Sequence, residues 1–323
     1  YTLAGADCID VAAEPGVIAA AKDGIDAALR VAQGKIRSAF PIERPWLMMS
    51  LNDGEDPHFR KAVFDAERCP SDCSRPCISV CPVDAITKTG VQTAHCYGCG
   101  RCLPVCPLGS IYPQNHQVGT QEIRELLPQV DAIEIHTQIG RLTEFEELWS
   151  ALQPTQSLHL ISVSCPDGPG LLTYLRSLSE VLQLPRYQTL IWQADGRPMS
   201  GDLGKGTTRA AIQLANKVLA ANLPGFVQPA GGTNAHTVPK LSELGLLRCA
   251  HNSCDRAIAG IAYGSHARKL MASILEQRPA DYPLEKAPEL LQTAVEKAKE
   301  LLRPLKRPQG QGCLGYEVPC SPK

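Results

Sequence analysis

Aromatic residues are scarce in this chain: phenylalanine, tyrosine and tryptophan make up 5% of its 323 residues. Neither charge is in excess, with 32 lysines and arginines against 33 aspartates and glutamates. With no basic footprint and few aromatic platforms, nucleic acid is not expected as a partner. No apolar run approaches the roughly 20 residues of a membrane-spanning helix, so no membrane span is expected. No secretory signal opens the chain, which starts at Tyr1 rather than at a methionine. The expectation is that a segment ahead of Tyr1, with any targeting sequence, is missing. No glycine fingerprint opens an early strand–helix turn, which counts against a dinucleotide-binding sheet. The stretch Gly204-Lys205-Gly206-Thr207-Thr208 places Gly206 where a P-loop needs a hydroxyl residue directly after its lysine, which excludes an ATPase reading.

Cysteine is what the chain has. There are 14, and eight of them lie between positions 69 and 106. Cys96, Cys99, Cys102 and Cys106, followed by Pro107, read C-x2-C-x2-C-x3-C-P. This is the bacterial ferredoxin spacing for a four-iron cluster. Just before it stand Cys69, Cys73, Cys77 and Cys81, followed by Pro82. In paired motifs of this kind the fourth cysteine ligates the other cluster. Cys69, Cys73, Cys77 and Cys106 are therefore expected to hold cluster one, and Cys81, Cys96, Cys99 and Cys102 cluster two. Two [4Fe-4S] clusters are the expected cofactors. Gly98 and Gly100 allow close backbone approach to sulfur. A four-cysteine zinc site is the alternative, and eight cysteines in this double arrangement count against it. Thiolates at metal spacing also point to a reducing compartment rather than a disulfide framework.

The first run departs from the pattern. Its gaps are three residues throughout, and Pro70 and Pro76 stiffen it. A three-iron or labile cluster is an open alternative there. The C-x3-C-x2-C motif of radical-forming barrel enzymes is missed by one residue.

Near-continuous apolar runs at 8–12, 46–51, 132–137, 158–164, 189–194, 225–230 and 257–263 read as parallel strands buried on both faces. Amphipathic stretches at 14–33, 143–152, 170–182, 207–222, 239–247 and 266–276 read as the helices between them. The alternation predicts an α/β fold, a (β/α)8 TIM-like barrel whose first strand would precede this chain. An open doubly wound sheet is the rival. The expected divisions are a first barrel part at 1–52, a ferredoxin-like α+β insertion at 53–116, the rest of the barrel at 117–280, and a C-terminal helix and Pro/Gly-rich tail at 281–323. An insertion after the second of these strands would sit on the C-terminal face, where barrel enzymes keep their sites.

Polar residues at the predicted strand ends form a candidate ligand rim: Asp195 and Arg197, then Gly232, Thr233 and Asn234, then Gly264 and Ser265. Glycine amides, hydroxyls and cations at the last two strands suit a phosphate or other anion; a structural role for the glycines is the alternative. His136 is either a rim base or a hydrogen-bonded structural residue. Cys165 and Asp167 end another strand with no visible base partner. Cys313 and Cys320 could form a redox-responsive disulfide in the tail.

Several stretches resemble the cyanobacterial light-dependent-period (LdpA) family and its plastid-type relatives. They are residues 1–12, the cysteine pair, Glu134-Ile135-His136-Thr137, Asp195-Gly196-Arg197-Pro198-Met199-Ser200-Gly201-Asp202, Gly231-Gly232-Thr233-Asn234 and Ala262-Tyr263-Gly264-Ser265. The resemblance runs from Tyr1 to about position 270. It implies a barrel-type domain with an inserted ferredoxin-like module and a role in redox input to the circadian clock. A redox carrier of photosynthetic electron transport and clock or other signalling proteins would be the partners. The cytoplasm of a cyanobacterium or the chloroplast stroma would be the location. The family supplies no catalytic residues beyond the cluster cysteines. A second function remains open on architecture alone: an iron–sulfur-dependent oxidoreductase reducing a small polar or phosphorylated substrate at the barrel mouth.

Overall fold

The computed structural model describes residues 1–34, 42–56, 59–65, 67–81, 83–196, 207–247, 257–279 and 282–306. Its strands are β1 (Cys8–Ala12), β2 (Trp46–Asn52), β3 (Arg60–Phe64), β4 (Ile111–Asn115), β5 (Ala132–His136), β6 (Leu160–Pro166), β7 (Thr189–Asp195) and β8 (Phe226–Ala230). Its helices are α1 (Pro15–Gly34), α2 (Pro76–Ser79), α3 (Thr120–Leu126), α4 (Leu142–Ala151), α5 (Leu171–Leu182), α6 (Thr207–Ala220), α7 (Thr237–Glu243), α8 (Ser265–Leu275) and α9 (Pro288–Leu302). Among the described residues no helix is long and apolar enough to cross a membrane.

Six strands form one parallel sheet in the order β1-β2-β5-β6-β7-β8. Each new strand joins the same advancing edge. A doubly wound sheet would reverse at a switch point, so that rival is excluded. The sheet is mixed with helices as a curled half-barrel. At its two ends the helical layer continues: α8 packs on α9, and α9 packs on the turn Thr2–Ala4 that leads into β1. Tyr1 reinforces this, its hydroxyl donating to the Ala267 carbonyl at 2.7 Å.

Sequence explains the helix-facing side. Leu47, Met49 and Leu51 of β2, Ile133 and Ile135 of β5, Ile161 and Val163 of β6, and Trp192 of β7 alternate along their strands and share one core. On α5, Leu171, Leu175, Leu178 and Leu182 recur at the spacing of one helical face and enter the same core. Each such buried side chain stabilises by about 1.5–3 kcal/mol. Trp192 is buried without cost to its indole N–H, which donates to the Pro224 carbonyl at 2.7 Å.

The other side of the sheet is layered. Met48, Ala132 and Leu160, with Cys8 and Ile191, form a small apolar floor. One step toward the C-terminal strand ends, the same face carries Asp10, Ser50, Glu134, Ser162 and Gln193. Asn52, His136, Ser164 and Asp195 follow at the top. The strands are therefore apolar on one face and polar on the other, not apolar on both as the runs predicted.

The predicted strand at 257–263 does not form. Among the described residues the segment runs beside β8 with two ladder bonds, Ala259 N–H to Val227 O and Ala262 N–H to Pro229 O. A residue's N–H and C=O point to the same side of a strand, so Pro229 accepts there but has no N–H to return. Proline at that position makes β8 the last regular strand. A closed eight-stranded barrel is thus not formed by the described residues.

Candidate metal centre

The strands β3 and β4 pair antiparallel, with Arg60 opposite Asn115 and Phe64 opposite Ile111. The chain between them carries all eight clustered cysteines. Cys81, Cys96, Cys99 and Cys102 line one cavity of about 260 Å³. Backbone donors point at its sulfurs: Ala62 N–H to Cys96 Sγ at 3.5 Å and Ala85 N–H to Cys81 Sγ at 3.2 Å. Gly98 and Gly100 in its wall have φ of 75° and 73°. At Gly98 an added Cβ would also collide with the Arg60 carbonyl oxygen. Burial pushes the Cys102 thiol up to about 11, with Cys99, Cys96 and Cys81 adding to it. A bound cation would reverse that preference and hold the thiolate.

Cys69, Cys73, Cys77 and Cys106 gather separately, for Cys73 and Cys106 act electrostatically on both Cys69 and Cys77. Arg75, between Cys73 and Cys77, takes a left-handed φ of 53°. Its N–H donates to Cys73 Sγ at 3.4 Å and its guanidinium lies 5.4 Å over the Phe64 ring. At Cys106, burial is outweighed by the backbone N–H groups of Ile111, Leu108, Ser110 and Gly109, which lower its pKa. Those amides favour a thiolate there.

Neither set converges on a point. Among the described residues no three His, Cys, Asp or Glu side chains are grouped to hold a single ion. Four soft thiolate donors spread around a multi-atom space suit an iron–sulfur cluster better than a lone zinc ion.

The module is tied to the top of the sheet. Lys61 Nζ reaches Glu14, just after β1, at 2.7 Å and the Thr93 carbonyl at 3.1 Å. His116 lies 3.6 Å from the same carboxylate. Burial and then Lys61 hold the His116 pKa down. Phe59 packs edge-on against His136, ring centroids 5.0 Å apart.

Two sequence families match. The Light dependent period A C-terminal domain covers residues 126–304, and the LdpA Fe-S cluster-binding domain covers residues 69–117. The chain is 52% identical over 317 residues to Light dependent period A of Synechococcus elongatus, covering 96% of this chain and 86% of that protein. The chain belongs to the LdpA family. Its match to the Fe-S cluster-binding domain makes it an iron–sulfur protein. The cysteine region is also 41% identical over 51 residues to a ferredoxin of Saccharopolyspora erythraea, 15% of this chain and 48% of that one. It is 34% identical over 73 residues to an uncharacterized ferredoxin of Methanocaldococcus jannaschii, 20% of this chain and 48% of that one. No solved structure matches.

Elsewhere in this LdpA family member, the other predicted positions that are described lie at or beyond the ends of the parallel strands. Thr233 Oγ1 donates to Ala262 O at 2.5 Å. Asn234 bonds Thr207, Gly232 and the His236 amide. A Cβ on Gly232 would press into Thr207 at 2.9 Å. These groups hold the β8 loop to the start of α6. Asp195 is buried at the end of β7, and Gly264 and Ser265 start α8. Arg197, Cys313 and Cys320 lie outside the described residues. His136 is held at both nitrogens, 2.9 Å from Glu134 and 3.6 Å from Asp56. Cys165 is buried, and burial pushes its thiol up to about 12, so it is no activated nucleophile. Asp167 pairs with Lys217 at 2.6 Å. Glu134, Gln193 and Asp10 were not singled out from sequence, although their alternation within the apolar runs marks a polar face.

Proposed function

We propose that this protein holds two [4Fe-4S] clusters and relays the state of photosynthetic electron transport to the circadian clock. Cys69, Cys73, Cys77 and Cys106 would hold one cluster, and Cys81, Cys96, Cys99 and Cys102 the other. The observation that carries this is the separation of eight cysteines into those two interleaved groups. Bound there, such clusters supply one-electron exchange at potentials set by their surroundings. The chain's own residues set those surroundings. The amides of Ala62, Ala85 and Arg75 bond to sulfur, and Lys61 fixes the module on its scaffold. Cys99 and Tyr97 are exposed at the rim, where a redox carrier would approach. The sequential winding of the sheet supports a (β/α)8-type scaffold. Clock or other signalling proteins are the proposed downstream partners, in the cytoplasm of a cyanobacterium or the chloroplast stroma.

Anaerobic purification with iron and sulfide counting and electron paramagnetic resonance tests the first half of this reading. About eight irons per chain are expected, and colourless iron-free protein would overturn it. The second half is tested by replacing the gene with a Cys81→Ser, Cys106→Ser variant and following the clock period across light intensities. A period response identical to that of the wild type would refute the relay. The reductase reading has one observation in its favour, the polar face that opens at the strand ends beneath the module. Its proposed anion site has less support, because Thr233 and Asn234 spend their polar groups within the protein.

A further inference from the structure

The polar layer of the sheet is larger than the scaffold needs. Ser50 Oγ donates to the Asp10 carboxylate at 2.7 and 2.9 Å. Gln193 Nε2 donates to Glu134 Oε1, which His136 also reaches at 2.9 Å. These bonds leave two buried polar groups over. Ser162 is 1% exposed and its hydroxyl has no partner. Gln193 is 7% exposed and its Oε1 has none either. Both share the face of Glu134 through the strand register. A buried polar atom without a bond is destabilising, so two in one layer call for an occupant.

The layer is also reachable. Asp10, on the edge strand β1, is exposed while bonded to Ser50 of this layer. Below it the Met48, Ala132 and Leu160 cluster closes the floor. Two carboxylates, Asp10 and Glu134, face the space, and the waiting groups Gln193 Oε1 and Ser162 Oγ can both accept. The matching ligand donates N–H bonds and carries positive charge.

We propose that the concave face of the sheet binds a small organic ammonium ion, held by Asp10, Glu134, Ser162 and Gln193. The apolar floor takes its carbon skeleton, and the acceptors above take its N–H groups. The inference is independent of the cluster assignment, since none of these residues lies in the cysteine module. It differs from the anion rim read from sequence, both in place and in the sign of the ligand.

Isothermal titration of the whole, cluster-loaded protein with 1,4-diaminobutane tests it, with butane-1,4-diol and inorganic phosphate as controls. Saturable binding of the diamine is expected, with neither the diol nor phosphate binding comparably. Asp10→Asn and Gln193→Met should each weaken the diamine at least tenfold while the iron content stays unchanged. Ser162→Ala, which removes the hydroxyl without adding volume, serves as a third variant should either of the others fold poorly. No saturable heat from the diamine up to millimolar concentration, equal binding of the diol, or undiminished affinity in the folded variants would overturn the proposal. Iron loss with diamine binding intact would count against the cluster assignment and leave this site standing.

Discussion

Lys61 and Glu14 form an ion pair of 2.7 Å across the joint between the cysteine module and the parallel sheet, and both side chains are nearly buried. Lys61 opens the module's hairpin and Glu14 follows the first scaffold strand, so this contact joins the insertion to the scaffold alongside the Phe59–His136 packing. His116, whose pKa is held down by burial and by Lys61, gives the carboxylate little additional charge.

Removing one partner of a buried pair leaves the other charge uncompensated, which costs about 3–5 kcal/mol. Lys61→Met should therefore lower the urea midpoint strongly. Adding Glu14→Gln to it should recover much of the loss. Chemical unfolding of the loaded protein, followed by cluster absorbance and by circular dichroism, reads both. A single variant as stable as the wild type would show that the joint is held elsewhere.

Gly98 and Gly100 share a left-handed backbone but differ in their surroundings. An added Cβ at Gly98 meets the Arg60 carbonyl, whereas at Gly100 the nearest atom is Leu103 Cδ1 at 3.8 Å. Gly100→Ala should cost only the left-handed penalty of about 1–2 kcal/mol and keep its iron. Gly98→Ala must push β3 away from the cavity that Cys81, Cys96, Cys99 and Cys102 line. It should lose about half of the iron, on the two-cluster stoichiometry. Equal iron in both variants would contradict this.

The interleaved pairing makes a non-additive prediction. Cys106→Ser should damage the same cluster as Cys69→Ser, although the two lie 37 positions apart. The double variant should lose no more iron than either single one, because both act on one unit. Cys106→Ser combined with Cys96→Ser should instead lose both clusters. Iron counting with paramagnetic resonance of the reduced protein separates the cases. Additive loss from Cys69 and Cys106 would break the proposed pairing.

Much of this was legible in the sequence because its signals are local. Six of the seven predicted strands form, since apolar runs bounded by turns report burial directly. The cysteine grouping was read from spacing, and the cavity gathers the set expected for cluster two. The run at 257–263 misled because its pairing depends on a neighbour, Pro229, that withholds a donor. The role of Gly98 could not be read, because the Arg60 carbonyl that demands it lies 38 positions away. The polar face was visible in stretches such as Ala132-Ile133-Glu134-Ile135-His136, where every second residue breaks the apolar run. Reading them as buried on both faces hid the layer.

That layer predicts how stability depends on pH. Burial raises the Asp10 carboxyl, Glu134 raises it further, and the Ser50 bond opposes, leaving it at about 8. At His136 burial works the other way, but Glu134 and Asp56 outweigh it and hold the imidazole well above its usual value. Both groups grip a proton more tightly in the folded protein than in the unfolded chain. Between the two values the native state binds more protons, so stability falls as pH rises. For Asp10 the window runs from an ordinary carboxyl value of about 4 to about 8. For His136 it opens near 6.5 and continues upward through the raised folded value. Urea midpoints of the loaded protein should therefore decline from about pH 6 to about pH 8.5. Asp10→Asn removes one titration and should flatten the decline without abolishing it, because His136 still titrates. Glu134→Gln removes the charge acting on both groups and should flatten it further. A wild-type midpoint that climbs over this interval, or an Asp10→Asn slope equal to that of the wild type, would show that the concave face does not hold these protons.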